Sequence, residues 1–215
     1  VPSYATREAG GLLWVYMDQG SPPDIPSSSL IPESIAQKAE WLVQMFPVSY
    51  MSMVENSLDP SHAPFIHEGI KEFSGVGFSP EGATPMKRFE LVGASTVEGF
   101  TLEHSPYQKN ASDVPIQRRF APPTLQKTTF PNFDVYLYFV PTGLRETNVI
   151  SIFPIPERKW MNRIPDQLLR VLSDTAHFLF YSSKGNRRFI LQDSLTMLGQ
   201  DSRKLRSVNG DVKKV

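Results

Sequence analysis

His62 and His67 stand five positions apart with Pro64 between them, and Asp59 precedes the first by three residues. These are two of the four histidines in the chain. Imidazole nitrogens suit Fe, Zn, Cu and Ni, and two of them with one carboxylate on one side of an ion form the donor set of mononuclear non-haem iron sites. On a continuous helix the two rings would diverge by roughly 140°, since each residue turns the chain by ~100°. Pro64 disfavours helix at the residue before it and removes a backbone donor, so a turn there would aim both rings at one point. Asp59-Pro60 reads as an N-cap and first helical residue, which sets Asp59 about one turn from His62. A pair of histidines beside an apolar segment also occurs as satisfied core or surface residues, so the pattern alone leaves both readings open.

A third donor must come from far away in the chain. On a helical wheel Phe189, Ile190 and Met197 lie within roughly 60° of Asp193, so this carboxylate shares a face with apolar side chains. Burying an unpaired carboxylate is costly, and coordination to a cation offsets the cost. Pairing with a nearby arginine, or simple exposure, is the alternative. Asp174 and Asp201 have largely polar neighbours and are poorer candidates. His104, beside Glu103 near a strand end, and His177, on the polar side of its helix, read as structural; Trp14, Trp41 and Trp160 read as packing anchors. The pairs Arg118-Arg119 and Arg187-Arg188 read as solvated faces.

The elements that must carry these residues follow from pattern. Leu12 to Met17, after Gly10-Gly11, reads as a strand, and the proline-rich connector at 20–29 as a segment that packs no core. Ile31 to Ala39 suggests a weak helix, and Trp41 to Tyr50 a strand leading to the histidines. Residues 71–85 read as a Gly/Pro-rich loop lying over the site. Met86 to Leu91, Ser95 to Glu103, Ile116 to Ala121, Leu125 to Phe130, Val135 to Val140 and Val149 to Phe153 are short β-prone runs, which predicts a meandering antiparallel sheet. Aromatics on both faces of 133–139 imply that both sides of it are covered. Apolar residues at helical spacing from Ile164 to Leu179, capped at Asn162, and again from about Arg187 to Leu205, predict two C-terminal helices separated by Lys184-Gly185-Asn186. The chain divides into an N-terminal strand and connector (1–30), a catalytic domain (31–208) and a flexible tail (209–215).

Composition narrows the function classes. The 215 residues are enough for one domain with a real core. Lys+Arg and Asp+Glu balance at 22 each, which removes the basic footprint of a nucleic-acid binder. There is no cysteine, which excludes disulfides, thiolate zinc sites and cysteine-ligated iron–sulfur clusters within these residues. Beginning at Val1 without a signal-like segment, the sequence reads as a mature or truncated product. Its longest uncharged run, Trp41 to Val54, is too short to span a bilayer, and no transmembrane helix is expected.

The run Glu55-Asn56-x-x-Asp59-Pro60-x-His62-x-Pro64-x-x-His67 resembles the mononuclear-iron motif of Rieske-type oxygenases, nearest the chloroplast branch that contains pheophorbide a oxygenase and chlorophyllide a oxygenase. Leu191-Gln192-Asp193-Ser194-Leu195-x-x-Leu198-Gly199-Gln200 is similar to the segment that carries the carboxylate ligand in that family, and Gly10 to Val15 to the strand that follows the Rieske domain. The resemblance implies an α+β helix-grip (START/Bet v 1-like) fold, a curved antiparallel sheet packed on a long C-terminal helix. It implies His62, His67 and Asp193 as Fe(II) ligands and Asp59 as the acid that links the Rieske cluster's histidine to a ligating one. A monooxygenase of chlorophyll metabolism follows, acting on a chlorophyll-type tetrapyrrole in a chloroplast, at the thylakoid or inner envelope. The [2Fe-2S] Rieske cluster would then reside on a partner chain in a trimer or hetero-oligomer. The alternative is a non-catalytic structural or pigment-binding subunit of a photosynthetic membrane complex that keeps the oxygenase fold.

Overall fold

A computed structural model describes residues 3–18, 20–67, 89–105, 114–131, 133–154 and 191–199. The chain opens with a hairpin, β1 (Ala5–Ala9) and β2 (Leu12–Tyr16), in register Ala9↔Leu12. Gly10 and Gly11 make its two-residue turn with φ of +59° and +74°, the left-handed pair that a tight hairpin demands. Gly11 has a second constraint, because a Cβ there would lie 2.9 Å from the Trp41 ring.

A 3-10 turn at Ser27–Ser29 and the short helix α1 (Glu33–Ala36) lead to β3 (Ala39–Phe46). The connector therefore does pack, which corrects the expectation at its end: Ser29 is buried, its Oγ donates to Pro122 O at 2.8 Å, and Tyr138 Oη donates to Ser29 O at 3.0 Å. Next come two helices, α2 (Tyr50–Leu58) and α3 (Ala63–Ile66). Six strands follow: β4 (Phe89–Thr96), β5 (Gly99–His104), β6 (Ile116–Ala121), β7 (Leu125–Thr129), β8 (Asp134–Gly143) and β9 (Glu146–Pro154). Residues 191–199 are helical and are designated α4.

The expected meander is present. Strands β4 to β9 pair with their sequence neighbours, all antiparallel, and β3 adds to β9, giving the order β3-β9-β8-β7-β6-β5-β4. The step from β3 to β4 thus crosses the whole sheet, and α2 and α3 lie on that crossing. Consecutive strand residues point to opposite faces, and on β8 both faces are occupied. Phe139, with no exposed surface, packs with Phe46, Met53, Val54, Phe120, Val149 and Met197. Tyr138, 1% exposed, packs with Ile31, Leu125 and Ile152, to which Trp14 and Trp41 add. Each fully buried aromatic or aliphatic side chain contributes about 1.5–3 kcal/mol through the water-exposed area it loses. The first face takes α2 and α4, the second takes the hairpin and α1.

The fold is α+β and mostly antiparallel sheet with few helices. Of the long C-terminal helix, 191–199 is described; the expected helix over 162–183, the loop 71–85 and the tail 209–215 lie outside the described residues. Among the described residues no helix is long and apolar enough to cross a membrane.

Candidate metal centre

The strand expected over Trp41 to Tyr50 is present as β3 but ends at Phe46, and the residues before the histidines form a helix, α2. Ser49 starts it: its Oγ accepts from Ser52 N at 3.2 Å, satisfying a donor that the first turn leaves open. Met53 and Val54 are buried in the core under the sheet and fix the helix's rotation. Asp59 ends α2 as its C-cap, with φ −89° and ψ 105°, so the expected N-cap at Asp59-Pro60 is corrected. Its exposed carboxylate folds back locally, with Oδ1 accepting from Ser61 N at 2.8 Å and from Ser61 Oγ at 2.5 Å.

His62 and His67 then sit at the two ends of α3, at its N-cap and C-cap positions. Pro64 does not break the chain between them. It occupies the first turn of α3, where a missing N–H costs nothing. The rings converge because the helix lasts a single turn and leaves helical geometry at His67, whose ψ is +27°. Their centroids are 5.5 Å apart at an interplanar angle of 73°.

Asp193 completes the group from α4, as the helical wheel suggested. It is 5% exposed, and Met197, one turn further on, has no exposed surface and packs against the same core as α2. One hydrophobic cluster thus holds both α4 and α2, the helix that leads to the histidines. Asp193 Oδ1 lies 3.1 Å from His67 Nε2 and 3.6 Å from His62 Nε2. One donor atom from each of the three residues falls within 4.8 Å of the others.

The donor set fits a divalent transition ion. Imidazole nitrogen and carboxylate oxygen sit about 2.1 Å from such an ion, so adjacent donors on one face are about 3 Å apart, near the spacing observed. Asp193 Oδ1 is buried and accepts no hydrogen bond among the described residues, a costly state for a carboxylate that a cation relieves. Burial holds the His62 imidazole below its ordinary pKa, and the neighbouring His67 adds to this; the Asp193 charge and the Asp59 charge and backbone act in the opposite sense. The net effect keeps His62 neutral at pH 7, the form that coordinates.

A polar cluster packed against the last turn of α2 was missed in the sequence. His104 has no exposed surface; its Nδ1 donates to Ser105 O at 3.0 Å and its Nε2 accepts from Arg118 Nε at 3.2 Å. Arg118 Nη1 also donates to Ser57 O in the last turn of α2, and Gln126 Nε2 approaches the same oxygen at 3.4 Å. The expectation of a structural His104 agrees with these partners. The signal for Arg118 was its register, a cation between Ile116 and Phe120 at inward positions of β6.

No protein-family model matches the sequence, and no curated protein matches it. Solved structures match it in fold. One is an oxygenase–ferredoxin complex of carbazole 1,9a-dioxygenase, with a TM-score of 0.58 at 17% identity over 99% of this chain and 60% of that one. Another is the terminal oxygenase of carbazole 1,9a-dioxygenase from Nocardioides aromaticivorans IC177, with a TM-score of 0.54 at 16% identity over 93% of this chain and 62% of that one. A third is the quaternary ammonium Rieske monooxygenase CntA, with a TM-score of 0.55 at 13% identity over 94% of this chain and 53% of that one. The chain thus has the fold of the Rieske oxygenase catalytic domain and spans between 53% and 62% of the length of these relatives.

Proposed function

We propose that residues 31–208 form the catalytic domain of a Rieske-type non-haem iron oxygenase, with His62, His67 and Asp193 as the ligands of one Fe(II). The carrying observation is the meeting of two imidazoles and a buried carboxylate from segments 126 positions apart (193 − 67), one donor atom each within 4.8 Å. The fold likeness agrees with this donor set, which suits Fe(II). When bound, the iron would supply dioxygen activation.

The chain's own residues have definable parts in this reading. His62 and His67 present lone pairs, and burial favours the neutral form at His62. Asp193 provides the negative charge of the group. Asp59 is exposed three residues before His62, which supports a role at the seam with an electron donor. A Rieske cluster takes two cysteines and two histidines; these residues include no cysteine, so the cluster that feeds the iron would lie outside them, and a neighbouring subunit of a trimer or hetero-oligomer would present it at Asp59. The chlorophyll-type tetrapyrrole substrate and the chloroplast setting rest on the resemblance of 55–67 and 191–200 to the pheophorbide and chlorophyllide oxygenases.

The test is iron content after anaerobic reconstitution, with anomalous scattering at the iron edge. The expected result is one iron per chain, within bonding distance of His62, His67 and Asp193, and lost in His67→Ala. A folded protein that takes up no iron would overturn the proposal. Under a second reading, a structural or pigment-binding subunit, tetrapyrrole binding without iron is the expected signature.

A further inference from the structure

We infer that Arg118 is a positioning residue for this centre: it ties the last turn of α2 to the sheet and thereby fixes where His62 meets Asp193. The inference rests on the metal-centre reading above and extends it to a residue outside the proposed ligand set.

The helix that carries Asp193 and the helix that leads to the histidines share one core cluster, but the second has a further attachment. α4 is anchored at Met197 in the core. α2 is buried there through Met53 and Val54, but its C-terminal end must be fixed separately, because the last carbonyls of a helix have no partner within it. Glu55 O accepts from Asp59 N at 3.0 Å. Ser57 O instead accepts from Arg118 Nη1 on β6, with Gln126 Nε2 on β7 at 3.4 Å. A guanidinium is well suited to this place. Its charge complements the negative end of the helix dipole, and its planar fork lets Nε donate to His104 Nε2 on β5 while Nη1 reaches the helix. His104 is itself aimed, since its Nδ1–H donates to Ser105 O and leaves Nε2 as the acceptor. One cation thus joins two strands to the helix end.

The route from Ser57 to His62 is short and constrained throughout. Leu58 closes α2, Asp59 caps it and binds Ser61, and Ala63 N donates to Pro60 O at 3.4 Å as α3 begins. Hydrogen bonds at Asp59, Ser61 and Ala63 brace this short path, so a shift at Ser57 O is passed on toward His62.

The test is Co(II) titration of the apo chain, read by calorimetry and by the visible absorption of the bound ion. Arg118→Met is expected to raise the Co(II) Kd about 10-fold or more, as changes behind a ligand do, with an altered band and an unchanged far-UV circular dichroism spectrum. Arg118→Lys, which keeps the charge but not the fork, is expected to fall between. Arg119→Met, on the same strand facing the other way, is expected to match the wild type. A Kd within twofold of wild type and an unchanged band in Arg118→Met would overturn the inference; should that variant fail to fold, the same result in Arg118→Lys would overturn it. Wild-type protein that binds no Co(II) would instead overturn the metal centre, and the inference with it.

Discussion

Burial, assisted by the nearby Arg118 charge, lowers the His104 pKa from its ordinary 6.5 to about 4, while the bond to Ser105 O opposes the shift. The unfolded chain takes up this proton near pH 6.5 and the folded chain only near 4. In that window the unfolded state binds more protons, so stability falls as pH drops, by at most about 1.4 kcal/mol per pH unit for one proton. The His62 shift has the same sign. Urea midpoints of the metal-free protein measured from pH 7 to 4 are expected to decline through the window, and His104→Gln is expected to flatten the decline. At this scale much of the centre is legible in the sequence: His62, His67 and Asp193 are of types that bind metal, and the spacing of Asp193 from Phe189, Ile190 and Met197 indicates its face. Arg118 is not legible as a contact, because its neighbour Arg119 makes the pair look solvated and only strand register separates the two.

Between residues and fold stand the short elements that carry the ligands, and α4 offers the sharpest test among them. Met197 is fully buried one turn from Asp193, so Met197→Ala is expected to cost about 2–5 kcal/mol by the lost burial and the cavity left behind. The same change is expected to weaken metal binding, since it loosens the helix that aims the carboxylate; chemical denaturation and metal titration on one sample check both. Sequence pattern finds the strands well where turns bracket them, as at Ile116–Ala121, whose bounds match β6. It fails at α2, where Tyr50 to Val54 is an uncharged run of β-prone and flexible residues and the cap at Ser49 has no acidic residue three places on to mark it. It also places the bend at Pro64, since a proline inside a one-turn helix and a proline at a turn have the same local signature. The error at α2 comes from tertiary burial of Met53 and Val54 overriding local preference.

In the proposed centre the donors come together only in the folded chain, because Asp193 reaches the histidines through the tertiary fold and not through a local loop. Ligand binding to the native state alone adds stability as RT ln(1 + [L]/Kd), about 2.7 kcal/mol at a free concentration of one hundred Kd. Added Fe(II) or Co(II) is therefore expected to raise the thermal midpoint in proportion to the logarithm of its concentration, and a chelator to reverse it, with no such response in Asp193→Asn. The meander and its order are readable at this scale, because six β-prone runs separated by turns admit few arrangements; the closing pair β3–β9 is not, since nothing local to either strand names the other. The 126 positions that separate His67 from Asp193 (193 − 67) also set an order in time. A ribosome delivers both imidazoles long before the carboxylate, and until then the growing chain offers a pair of loosely exchanging donors. If the proposed centre holds, ion capture is therefore a late event in the life of each molecule, reserved for copies that have finished folding.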